Sequence, residues 1–94
     1  MAEKIMREMK LLNKYGMHVR PAGLFAKTAS RYDAEITVDK DGNVVSGKSI
    51  MALMTLEAVS GTCLKVTAEG PDAAEALDEL EALVERKFDI PDEQ

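Results

Sequence analysis

Apolar residues recur along this chain with two periods, every second position in some stretches and every third or fourth in others, and the two kinds of stretch are interleaved. That interleaving calls for a sheet and helices sharing one core. Residues 4–12 can place Ile5, Met9 and Leu11 on one face of a strand with Glu8 and Lys10 on the other, although Arg7 interrupts the apolar face. Asn13 and Gly16 break the pattern. Pro21 then falls in the first turn of a helix expected from about Val19 to Ser30, with Ala22, Phe25, Ala26 and Ala29 on one stripe. In residues 35–39 Ile36 and Val38 alternate with polar neighbours, Asp41, Gly42 and Asn43 supply a turn, and Val44 and Val45 return as the second arm of a hairpin.

Ser49 precedes the apolar run IMALMTL as the N-cap of a short second helix, and Gly61 ends that region. Residues 62–68 turn Leu64, Val66 and Ala68 inward as a fourth strand. From Asp72 a long helix carries Ala73, Ala76, Leu77, Leu80, Leu83 and Val84 on one stripe, with Asp72 and Glu75 at the spacing of a capping box and an acidic, solvated opposite face. The order βαββαβα predicts an α+β open-faced sandwich, a four-stranded antiparallel sheet with three helices on one face. Thr37, Asp39, Lys65 and Thr67 are the polar set for the uncovered face. Residues 1–94 read as a single domain, with about 89–94 (DIPDEQ) a flexible tail.

A chain of 94 residues has room for one core and argues against a deep metabolite pocket, so function is expected on the surface. Twelve Lys and Arg against 17 Asp and Glu, net charge −5, argue against a nucleic-acid binder. The signs are segregated: Lys14, Arg20, Lys27 and Arg31 lie in a stretch without acids, whereas residues 69–85 carry seven acids and no base. One His and one Cys exclude a structural zinc site and an internal disulfide, and Cys63 reads as a small buried residue of the fourth strand. Charges interrupt every apolar run, so neither a signal peptide nor a membrane span is expected, and the cytoplasm is the expected location.

His18 stands just ahead of the proline-started helix, with Arg20 two residues on. An imidazole nitrogen can take and release a group covalently. The unpaired N–H groups and the dipole of a helix N-terminus favour a phosphate there, and an arginine fork can hold phosphate oxygens. Position alone leaves His18 equally readable as a loop or cap residue. The run GMHVRPAGL at 16–24, however, resembles the active-site signature of the HPr family, usually GLHARPA, and GKSIMALMTL at 47–56 resembles that family's regulatory serine region. The likeness extends from about residue 4 to about residue 88 and includes the acidic closing helix.

This resemblance implies a stoichiometric phosphoryl carrier, not an enzyme, without metal or cofactor. His18 would be phosphorylated on Nδ1 by enzyme I, itself charged by phosphoenolpyruvate, and would donate to IIA domains of sugar permeases, with Arg20 stabilising the phosphoryl group. Ser49 matches the serine modified by HPr kinase/phosphorylase, where phosphate lowers carrier activity and docks a transcription regulator. A plain N-cap role explains a serine there equally well. Met17, Phe25, Lys27, Met51 and Met54 are the candidates for the partner surface of a monomer, although helical spacing requires part of the Met51–Met54 run to be buried. Val19, Gly23 and Ala52 depart from the family's usual residues.

Three other readings compete. A regulatory HPr-like module would report nutrient supply through phosphorylation-dependent protein binding, without feeding a permease. An acyl carrier protein shares small size, acidity and a modifiable serine, but is a helical bundle with a DSL motif, where this chain has Lys48-Ser49-Ile50 and four strand-like segments. A self-contained enzyme would need an acid, a base and an oxyanion-stabilising group, and beside His18 the sequence offers only Arg20.

Overall fold

A computed structural model describes residues 3–91. Its elements are β1 (Glu3–Lys10), α1 (Val19–Ala29), β2 (Glu35–Lys40), β3 (Asn43–Ser46), α2 (Ile50–Met54), β4 (Cys63–Gly70) and α3 (Ala73–Glu85), followed by a single 3-10 turn at Lys87–Asp89. The four strands form one antiparallel sheet in the order β1-β4-β2-β3, so the last strand in the chain is an inner strand of the sheet. The open-faced arrangement expected from the interleaved periods is the one observed.

Register explains which side chains enter the core. Ile5, Ala68 and Ile36 align across three strands, and Met9 faces Leu64, all on the helix side. Val66, Val38 and Val45 form the row between, with Arg7 at its outer end on β1. Arg7 therefore does point towards the helices, and its guanidinium reaches the α3 carboxylates of Asp78 at 2.6 Å and Glu81 at 3.3 Å. The acidic face of α3 is thus not wholly solvated as expected, since Glu79 also pairs with Arg31 and accepts from the Tyr32 hydroxyl. On the other side of the sheet Met6, Thr67, Thr37 and Ser46 form one polar-rich row and Glu8, Lys65, Asp39 and Val44 the next.

Cys63 belongs to that uncovered side. The inward set of β4 is Leu64, Val66 and Ala68, so alternation turns Cys63 outward and exposes it, correcting its assignment as a buried residue. Asp72 also departs from expectation. Its side chain makes no capping bond to α3 but accepts from the backbone N–H groups of Asp33 (2.9 Å) and Ala34 (2.8 Å), tying the start of α3 to the α1–β2 turn. These donors favour the charged carboxylate, and the contact with Asp33 above all draws the Asp72 pKa below its ordinary value. Past α3 Phe88 is fully buried and Ile90 is partly buried against the core, while residues 92–94 of the expected tail lie outside the described residues. Among the described residues no helix is long and apolar enough to cross a membrane.

Candidate functional site: the start of α1

The segment between β1 and α1 is tied down at both ends. Leu11 exchanges backbone hydrogen bonds with Thr62 and Gly61, and Met17 N–H donates to Ala58 O at 2.8 Å. Between them buried Asn13 donates through Nδ2 to Gly16 O at 2.7 Å. Gly16 has φ +68, and a Cβ there would lie 2.2 Å from Ala58 O, so only glycine permits this approach. Met17 then drops its side chain into the core at 4% exposure, and Phe25, one α1 stripe position from Ala22, is fully buried. Both are corrected as partner-surface candidates, because the residues that hold α1 on the sheet are spent on packing.

His18 occupies the N-cap position of α1, with extended backbone (φ −97, ψ −171). Its N–H donates to Gly16 O at 3.1 Å and its carbonyl accepts from Ala22 N–H at 2.9 Å, which fixes the main chain. The imidazole, half-buried, makes no capping hydrogen bond. The amides of Val19 and Arg20 precede the first helical hydrogen bond, and Pro21, the third helical residue, has no N–H to offer. No acid occupies the first turn of α1, and exposed Arg20 has no ion-pair partner among the described residues. The His18 ring thus stands at the start of α1 beside the Val19 and Arg20 amides, with an exposed arginine side chain two residues on, a setting suited to a phosphoryl group.

Exposed apolar side chains stand on two helices: Val19 at the start of α1, and Ile50, Met51 and Met54 on α2, of which Met51 is 80% exposed. The two helices are in contact, with the position of a Gly23 Cβ only 3.9 Å from Ile50 Cδ1. Lys27, also exposed, sits in the last turn of α1. Ser49 is the N-cap of α2, its Oγ accepting from Ala52 N–H at 3.1 Å. Tyr15, in the loop three residues before His18, packs its ring edge-to-face with His18, centroids 6.1 Å apart and planes at 84°. No periodicity marks a loop residue, so its nearness in sequence was the only signal. Among the described residues no three potential metal ligands cluster.

A family model for the PTS HPr component phosphorylation site matches residues 5–86. The chain belongs to the HPr family. It is 41% identical over 80 residues to the phosphocarrier protein HPr of Vibrio cholerae, covering 85% of this chain and 94% of that one. It is also 44% identical over 80 residues to the HPr-like protein Crh of Halalkalibacterium halodurans, covering 85% and 93%. A crystal structure of HPr from Thermoanaerobacter tengcongensis superposes with a TM-score of 0.89 at 41% identity, covering 93% and 98%. A crystal structure of an HPr dimer from the same species superposes at 0.73, with 45% identity and coverage of 85% and 92%, so an HPr fold does not by itself imply the monomer expected from sequence. HPr proteins are phosphocarriers, and carriers rather than catalysts.

Proposed function

We propose that this HPr-family chain is a cytoplasmic phosphoryl carrier that accepts the group on His18 from enzyme I and donates it to IIA domains of sugar permeases. The observation that carries this reading is the imidazole at the start of α1, free of any capping bond, beside the Val19 and Arg20 amides and two residues before an exposed arginine with no ion-pair partner among the described residues. In the transfer step the Nδ1 lone pair of His18 attacks phosphorus, the bond from phosphorus to the donor's own phosphorylated side chain breaks, and its electron pair returns to the donor. Arg20 and the amides take up the phosphoryl oxygens' charge, and the exposed Val19, Ile50, Met51 and Met54 seat the partner that supplies the rest of the catalytic groups. Reversal of the same step on a IIA domain releases the group.

Ser49 fits a brake on this cycle. A phosphate on its half-buried Oγ would take the place of the hydroxyl at Ala52 N–H and add nearly two negative charges beside Ile50 and Met51. Likeness to Crh favours a second reading, a regulatory module that works through phosphorylation-dependent protein binding. The test is intact-mass analysis after incubation with enzyme I and phosphoenolpyruvate. One acid-labile phosphoryl group, absent from His18→Ala, is expected. No gain with a proven enzyme I would overturn the carrier and favour the module modified at Ser49.

A further inference from the structure

The main chain of His18 is held by two hydrogen bonds of its own and one through its neighbour, yet its ring is not. The His18 N–H and carbonyl are both hydrogen-bonded and its neighbour Met17 is anchored to Ala58, whereas the imidazole lacks a capping bond. Among the described residues the one aromatic ring against it is that of Tyr15, edge-to-face at 6.1 Å and 84°. This is the arrangement that the opposite charges of ring faces and ring edges favour. Tyr15 is itself restrained. The Lys14 ammonium stands 5.3 Å from its ring centroid, and Asn13 locks the turn that carries both residues through Gly16 O. Tyr15 is nevertheless 53% exposed, so the core does not explain its position.

From this geometry we infer that Tyr15 is a positioning residue for phosphoryl transfer: its ring holds the His18 imidazole in the orientation that aims the reacting nitrogen outwards. The inference rests on the carrier reading. It concerns a task that neither the helix start nor Arg20 performs, because those groups bind the phosphoryl oxygens and leave the torsion of the histidine side chain unset. An edge-to-face pair of this kind biases a rotamer equilibrium by roughly threefold to tenfold, and the rate of a step that needs one rotamer falls by the same factor when the bias is removed.

The experiment compares wild type, Tyr15→Phe and Tyr15→Ala in two arms. The first needs no partner: NMR side-chain couplings of His18 and ring-to-ring NOEs in the unphosphorylated protein. The second is single-turnover transfer from phosphorylated enzyme I, separated into maximal rate and half-saturating concentration. Expected for Tyr15→Ala are averaged His18 couplings and a maximal rate lower by roughly threefold to tenfold, at unchanged half-saturation and melting temperature. Tyr15→Phe keeps the ring and is expected to restore both couplings and rate. Unchanged couplings in Tyr15→Ala, a defect confined to half-saturation, or an equal defect in Tyr15→Phe would each overturn the inference. Failure of the wild type to take phosphate would instead sink the carrier reading, and the NMR arm would still decide whether Tyr15 orients the ring.

Discussion

Arg20 and Gly16 act on the same histidine by different physics, and their substitutions should separate cleanly. Arg20 is exposed and has no ion-pair partner among the described residues, so Arg20→Met should leave the fold intact and remove a charge-assisted contact with the transferring phosphoryl group. A contact of that class is worth about 1.5–3 kcal/mol, so transfer from enzyme I should slow by roughly 10- to 100-fold in a stopped assay, with thermal unfolding unchanged. Gly16→Ala should do the reverse. Its left-handed φ and the carbonyl of Ala58 in its path make unfolding in urea easier by more than about 1 kcal/mol. Asp72 supplies a third case, visible in pH. Its native pKa is lowered, chiefly by the Asp33 N–H, so the stabilisation is fully present above the ordinary carboxylate value of 3.8 and is lost as pH falls through the lowered native value. Asp72→Asn should therefore be less stable than wild type at neutral pH, with the gap closing in acid, as urea unfolding at a series of pH values would record.

At the level of elements the sequence was informative wherever period alone decides the outcome. The strands and helices, the N-cap at Ser49 and the inward sets of β2 and β4 all follow from alternation or helical stripes. What it left hidden were contacts between elements distant in the chain. Asp72 has the spacing of a local cap yet bonds across to Asp33 and Ala34, and Arg7 looks like an error in a strand until α3 places Asp78 and Glu81 over it. For the site, resemblance placed Met17 and Phe25 on the partner surface, although Phe25 also lies on the apolar stripe of α1, and both are buried: a likeness in sequence does not say which side chains of a shared segment the core takes up. Gly23 shows the same limit. In sequence it is a helix-weakening residue; in the structure a Cβ there meets only Ile50 Cδ1 at van der Waals distance. Gly23→Ala should stabilise the protein by about 0.5–1 kcal/mol and raise the melting temperature by roughly 2–8 °C in calorimetry.

Over the whole molecule the charges are sorted rather than mixed. Acids of α3 are engaged by Arg7, Arg31 and the Tyr32 hydroxyl, while Arg20 and Lys27 on α1 have no ion-pair partner among the described residues despite a net charge of −5. An acidic partner would be steered to the α1 side, so the second-order rate of transfer should fall steadily with added salt, while the maximal rate at saturation changes little. The sheet order carries a consequence for how the protein is made. β4 lies between β1 and β2, so until residues 63–70 exist residues 3–10 have no strand to pair with and residues 35–40 have β3 on one side alone. During synthesis residues 3–62 therefore leave the ribosome with the β2–β3 hairpin formed and β1 unpaired, and the sheet closes only once residues 63–70 follow.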